Sequence, residues 1–488
     1  MARLGKPVTR EGWRRAIAAL ADGTSTLLSL WGEPGVVHMA RCDKAGGPVG
    51  AISLECPDGS FPSVARDHAP ADRLERTIRD LVGLLPDGAR DDRPWLDHGR
   101  WRVVQPLGAA TAAASGGPPP YGFLAAEGDS LHQIPVGPVH AGIIEPGHFR
   151  FAADGETVVR LEARLGYVHK GVQALMQGAD PARAARFAGR LSGDSTVACA
   201  LAFSRAVEAA WQVAVPERAV WLRALMAELE RLANHLGDIG AICNDASFAL
   251  MMAPCATLRE SVLRASSGCF AHRLMMDRVV PGGVAADLQP GGLDALRGLR
   301  AQVRASFPRL VALYDNTASL QDRTVGTGIV SRALVERYGC GGYVGRASGR
   351  TFDTRRALAY PPYDRLAFEV PTMEEGDVNA RVWIRIREVE QSLRLIDQLI
   401  DGLPAGETRV ALRGPGELAE GIAIVEGFRG DVLVWVRLSA DGTVARCHLR
   451  DPSWFQWPLL EAAIEGNIVA DFPLCNKSFN CSYSGQDL

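Results

Sequence analysis

The sequence predicts an α+β protein: an N-terminal α/β unit over residues 1–108, then a helical-bundle core with peripheral β-sheets over residues 131–488. Three patterns carry that expectation. Short apolar and β-branched runs near the start lead into one amphipathic helix. Leu222, Leu225, Leu229, Leu232, Leu236 and Ile239 then recur at helical spacing, giving the apolar stripe that a bundle helix needs. Alternating segments return near the end. With 488 residues, 47% of them hydrophobic, the chain can build cores for two or three domains.

In chain order, Thr26–Leu30, Val36–Met39 and Val49–Leu54 read as strands, and Ala71–Leu84 reads as a helix with Leu74, Ile78, Leu81 and Val82 on one face. Residues 109–130 form a linker, small and Gly/Ser-rich from Ala109 to Gly117 and closed by Pro118–Pro120. A Gly/Pro-punctuated loop from Gly137 to Gly147 feeds strands around Phe149–Ala152 and Thr157–Ala163. Ala182–Ala214 is then one long helical region, Pro216 opens the next helix, and Arg259–Asp277 and Leu293–Tyr314 complete a bundle of about four. Ala380–Ile400 adds a helix, and Thr408–Leu412, Val432–Leu438 and Val444–Leu449 alternate as strands.

Composition removes several function classes. A net charge of only -3 leaves neither a nucleic-acid footprint nor a polybasic membrane anchor. No apolar run approaches the roughly 20 residues of a membrane helix. Met1–Arg15 is basic but lacks the apolar centre of a signal peptide. The expectation is a cytoplasmic protein that meets a membrane only through partners. The ten cysteines include no C-x-x-C, so they read as small buried hydrophobes, with a replacement metal site from Cys199, Cys475 and Cys481 as the sharper alternative. No iron–sulfur ligand set is present, so any clusters belong to partner subunits.

Several motifs then point one way together. Phe61-Pro62-Ser63-Val64 followed by Leu74–Leu84 resembles the 30 kDa subunit of respiratory complex I. The segment Gly137–Phe151, the run Tyr167-Val168-His169-Lys170-Gly171, the helix carrying Glu230, Arg231, Asn234 and His235, the stretch Arg346–Arg355 and the loop Val425–Asp431 resemble the large subunit of energy-converting nickel–iron hydrogenases of the formate-hydrogenlyase type. Tyr363-Asp364, Gly376-Asp377 and Ala380–Ile400 look nearer to the 49 kDa subunit of complex I, the other branch of that family.

The resemblance implies a hydrogenase-large-subunit-like fold, and in that family two C-x-x-C pairs supply four thiolates to nickel and iron. Here Ser192 and Ser195 stand at the first pair and Ser482 and Gly485 at the second. Hydroxyls are hard, weakly acidic ligands and glycine supplies none, so no metal is expected. Glu145 takes the family's proton-passing position, and Arg429 the position of an arginine held over the metal. Asp353 and Arg355 read as structural ion pairs bracing the bundle. Quinone-binding residues of complex I fall near Ile144 and Gly193, neither of which donates a hydrogen bond, so His140, His148, His169 and Tyr483 join Ser192, Ser195 and Ser482 as the candidate pocket. The family's nickel enzymes carry a C-terminal extension cut off after metal insertion, and none is expected here.

The implied cofactors are none in this chain, with quinone as a candidate ligand, NAD binding a term that belongs to the complex I branch, and iron–sulfur clusters in partners. The implied partners are an iron–sulfur small subunit resembling the 20 kDa-like subunit of complex I, a ferredoxin-like subunit and membrane-arm subunits. Two functions fit: a subunit passing electrons to an acceptor such as quinone with coupled ion translocation, or a non-catalytic structural and coupling subunit of the same kind of complex. A true nickel hydrogenase would need ligands this sequence lacks.

Overall fold

The N-terminal unit begins with a parallel edge. In a computed structural model that describes residues 5–43, 49–112, 120–128, 130–139 and 144–488, strand β1 (Gly5–Pro7) runs parallel to β4 (Gly50–Glu55). Strands β3 (Val36–Asp43) and β2 (Ser25–Glu33) extend the sheet antiparallel in the order β1-β4-β3-β2. Helix α1 (Arg10–Ala21), absent from the sequence reading, starts where Thr9 Oγ1 accepts from the Gly12 N–H. Helix α2 (Asp72–Val82) lies so close on β2 that a Cβ at Gly32 would be 2.8 Å from Ile78 Cγ2. That approach is why glycine interrupts an otherwise bulky strand.

The second unit opens on a meander of β5 (Leu131–Val136), β6 (His148–Asp154) and β7 (Thr157–Arg164). Ala182–Ala214 is not one helix. Helix α3 (Pro181–Ala188) stops, residues 189–195 turn, and α4 (Thr196–Trp211) starts again. Glu230 causes the restart by accepting from the Val197 (2.7 Å) and Ala198 (3.1 Å) N–H groups, the orphan donors of the new helix. The interruption is what lets residues 192–195 present side chains inward.

Helices α5 (Glu217–Asp245), α6 (Met252–Phe270), α7 (Gly292–Asp315) and α8 (Val378–Asp401) form the bundle. Helix α6 begins and ends seven residues earlier than expected. Pro254 is tolerated in its first turn, and Ala271 ends it in the left-handed region at φ 57°. Thr408–Leu412 is no strand; it contributes one bridge, Arg409 to Gly283. The sequence reading missed β1 and β5, and also the longer β8 (Ala419–Gly427), which pairs with β9 (Gly430–Leu438) and, through it, β10 (Val444–Arg450). Gly421 sits against the Ala206 carbonyl of α4, where any Cβ would overlap it. Helices α9 (Ser453–Ile464), α10 (Phe472–Phe479) and α11 (Tyr483–Asp487) close the chain.

The two units are docked. Ser29 Oγ and His448 Nε2 are 2.7 Å apart, Trp31 stacks on His448 at 5.0 Å, Arg450 Nε donates to Leu28 O and Arg73 pairs with Glu461 at 2.6 Å. The described part of the linker is tied down as well, with the Tyr121 hydroxyl donating to Glu162 at 3.0 Å.

Candidate functional site

Three chain segments from opposite ends of the sequence meet at one point. The turn before α4 brings Ser192, Asp194 and Ser195. Ser482 starts α11, its Oγ accepting from the Gly485 N–H at 2.8 Å. The tip of the β8–β9 hairpin is only Phe428-Arg429, because Gly427 pairs with Gly430, and it delivers Arg429 into the same space. Gly342, at φ 65°, packs on the Arg429 carbonyl where a side chain could not fit.

The polar groups then chain together. Ser482 Oγ lies 2.9 Å from Ser192 Oγ, which donates to Asp194 Oδ1 at 2.7 Å. Arg429 Nη1 donates to Asp194 Oδ1 (2.7 Å) and Ser195 Oγ (3.1 Å), and Nη2 donates to Asp194 Oδ2 (2.5 Å). This is the bidentate fork geometry in which a guanidinium and a carboxylate match best. Burial pushes the Asp194 carboxyl up, but Arg429 and the two serine hydroxyls outweigh it and hold it below its usual range. Arg429 Nε donates to Asn480 O, and Gln456 Nε2 donates to the Arg429 backbone carbonyl at 2.7 Å, so the residue is held at both its guanidinium and its backbone.

The fourth corner is filled by a carboxyl. A Cβ at Gly485 would lie 2.7 Å from Asp451 Cγ and 2.8 Å from Ser482 Oγ. Asp451 is 1% exposed; its Oδ1 accepts from the Ser453 N–H at 2.9 Å, while Oδ2 has no hydrogen-bond partner. Burial pushes this carboxyl up, against Arg429 and Ser453. The residues present therefore do not fit a thiolate-bound nickel–iron centre. They offer three hydroxyls, two carboxyls and a resident guanidinium. Cys199 and Cys481 are buried nearby, and burial pushes both thiols well above their usual range, away from the thiolate a metal requires. Cys475 lies apart, against Gly328 and Arg381, and among the described residues no three His, Cys, Asp or Glu side chains are grouped to hold a metal.

The remaining sequence candidates scatter around this centre. Glu145 is exposed rather than buried, its Oε2 accepting from the Ser484 N–H at 3.0 Å, so it sits at the rim over α11. His148 uses Nδ1 on Gly137 O (2.9 Å) and accepts from Arg150 Nε with Nε2 (3.3 Å), facing away from the serines. His169 stacks on Trp101 at 4.7 Å and its Nδ1 donates to Asp487 O at 2.7 Å. Tyr483 packs edge-on to Trp457 at 4.8 Å, and burial pushes its phenol up to about 12. His140 lies outside the described residues. Asp194 and Asp451 were not singled out as site residues; Asp194 stands inside the Ser192–Ser195 motif, whereas nothing in the sequence marks Asp451.

With the geometry in hand, comparison with known proteins is decisive. A family model of the 49 kDa subunit of respiratory-chain NADH dehydrogenase matches residues 245–416, and one of nickel-dependent hydrogenases matches residues 170–237. The chain is 31% identical to formate hydrogenlyase subunit 5 of Escherichia coli (strain K12) over 447 residues, 89% of this chain and 78% of that one. It belongs to the complex I 49 kDa and nickel–iron hydrogenase large-subunit family. The match reaches well into the N-terminal unit, as a fused 30 kDa-like domain requires. An NADH-quinone oxidoreductase subunit of Dehalococcoides mccartyi is also 31% identical, over 69% of this chain and 92% of that one. A chain of the membrane-bound sulfane sulfur reductase, an archaeal respiratory membrane complex, superposes with a TM-score of 0.68 at 27% identity, covering 74% of this chain and 99% of that one. Two of these relatives are thus subunits of multisubunit enzymes, and the third is a chain of a respiratory membrane complex. In this family member the described residues include no helix long and apolar enough to cross a membrane.

Proposed function

We propose that this chain is the large redox-module subunit of a membrane-associated oxidoreductase related to complex I and energy-converting hydrogenases, working without a thiolate-bound nickel–iron centre. The observation that carries the reading is the Asp194–Arg429 pair, which fills the space between Ser192, Ser195 and Ser482 with a permanent cation and its counter-charge. In this reading electrons arrive from an iron–sulfur small subunit of the 20 kDa-like type, fed by a ferredoxin-like subunit, and the centre holds and passes protons. Arg429 favours the ionised form of Asp194, burial favours the protonated form of Asp451, and Glu145 stands at the rim as the proton relay. Membrane-arm subunits hold the assembly to the cytoplasmic face of the inner membrane.

A quinone-class acceptor is supported by one feature. Gly193 opens onto a cavity of about 170 Å³ in which Arg259 and the unpartnered Ser266 hydroxyl offer donors to a headgroup oxygen. The second reading, a non-catalytic coupling subunit, is favoured by the closure of the serine centre and by His148 and His169 lying outside it. Purified native complex tests both readings. The redox reading expects no stoichiometric nickel, no dihydrogen uptake, and reduction of a quinone analogue that Ser266→Phe abolishes. Quinone reduction absent from wild type while ion transport persists would leave the coupling reading standing. One nickel per chain would sink both.

A further inference from the structure

Beside α11, the face of β6 and β7 that carries His148, Arg150 and Arg164 forms one wall of an open cleft of about 1120 Å³, and the segments 92–101 and 120–123 form the others. Four arginines line it. Arg93 is neutralised by Asp91 (2.5 Å) and Glu162 (2.6 Å). The other three meet no carboxylate among the described residues. Arg164 is only 4% exposed, yet its contacts are neutral: the Pro94 carbonyl and the face of Tyr121 at 3.8 Å. Arg150 donates to His148 and lies over Phe123 at 4.5 Å, and Arg100 is exposed at the mouth. Desolvating a cation without a counter-charge is unfavourable, and burial accordingly holds the Arg164 guanidinium below its ordinary range.

The wall segment 92–101 carries Asp92, which lines the cleft, and Asp97, but neither pairs with these three arginines. Residues 113–119 and 140–143, which adjoin Pro120 and Pro138 in sequence, contain no Asp or Glu. The cleft also exceeds the roughly 300–1,000 Å³ of ordinary small-molecule pockets. Its floor is aromatic, with Trp101, Tyr121 and Phe123 presenting ring faces and edges.

We propose that this cleft seats an acidic, extended segment of a partner subunit, its carboxylates pairing with Arg150, Arg164 and Arg100 and its apolar side chains lying on Trp101, Tyr121 and Phe123. Arginine forks over aromatic rings recognise such segments through bidentate pairing and stacking together. The inference rests on this chain having partners, not on what the complex reduces, and its test reads assembly alone.

In native complex, a photoreactive residue in place of Phe123 should capture one partner subunit through a peptide rich in Asp and Glu. Arg150→Glu should lower that yield about tenfold, as reversing one charge of a close pair does, and rising ionic strength should lower it further. Because Arg150 is only half-buried, the isolated chain carrying Arg150→Glu should unfold at the wild-type temperature, separating lost docking from lost folding. Arg164→Lys, which keeps the charge but not the fork, should give an intermediate yield. Capture of a neutral or basic peptide, of phospholipid, or of nothing would overturn the proposal. So would inorganic phosphate shielding Arg150 of the isolated chain from an arginine-specific reagent, which would mark a free-anion site instead.

Discussion

Two buried polar regions meet along α5, and they are built on opposite plans. In the bracing network, Arg355 pairs with Asp353 (2.7 Å) and Glu228 (2.9 Å), and Arg346 pairs with Glu388 (2.6 Å) and Glu426 (2.9 Å), all within 2% exposure. Tyr363 and Ser392 complete the shell of Glu228. In the serine centre a single ion pair, Asp194–Arg429, stands beside an Asp451 oxygen that bonds to nothing. The first region spends its charges on holding segments together. Unsatisfied buried atoms occur in both, on Arg231, His235 and Arg346 in the first and on Asp451 in the second; what sets the second apart is a half-bonded carboxyl that burial pushes up. Within the bracing network, Glu388 is held well below its usual range by Arg346 and His235 against burial, whereas burial and Asp353 push Glu426 up.

The sharpest way to break the comparison is to remove a cation from each region. Arg355→Met leaves Asp353 and Glu228 buried with one partner fewer, and should cost about 3–5 kcal/mol, seen as a large fall in the thermal unfolding midpoint of the chain. Unfolding indistinguishable from wild type would mean the network braces nothing. Gly485→Ala should come next, at about 1–3 kcal/mol, because the new methyl meets Asp451 Cγ at 2.7 Å. Asp451→Ala in the same chain should recover part of that loss, since the two share one space; strict additivity in the double mutant would show they do not.

Asp194→Asn should cost less, about 1–2 kcal/mol, because 35% of its side chain is exposed and solvent screens the pair. Its pH signature is specific. The Asp194 carboxyl is held below its unfolded value of 3.8, so its contribution is present above that pH and is lost as pH falls through the folded value. Wild type and Asp194→Asn should converge in stability only below about pH 4; a difference that persists in stronger acid would show that Asp194 acts through packing instead.

How much of this was legible beforehand follows from what each signal requires. Periodicity found α5, α7 and α8 because their apolar stripes are long, and motif resemblance placed Ser192, Ser195, Ser482 and Arg429 at one point although up to 290 residues separate them. It could not show that Ala182–Ala214 breaks, because the cause is Glu230 on another helix capping α4 through space. Nor could it find β8, since Ala419–Gly427 is interrupted by Gly421, whose role is to admit the Ala206 carbonyl. Asp451 was invisible for the same reason. Its importance comes from the absent side chain of Gly485, a neighbour 34 positions away that only folding brings into contact.

Asp451 also gives the smallest expected effect and the one that bears most directly on proton handling. Its folded carboxyl is raised above 3.8, so it stabilises the fold below that pH and loses the contribution as pH rises through the folded value, opposite in sign to Asp194. Asp451→Asn keeps the acceptor for the Ser453 N–H but cannot ionise. The variant should therefore match wild type in acid and become the more stable of the two as pH rises, with the divergence read from unfolding midpoints across the pH range. A parallel offset at every pH would mean that Asp451 does not titrate in the folded chain, and the centre would then hold its charges as rigidly as the network behind it.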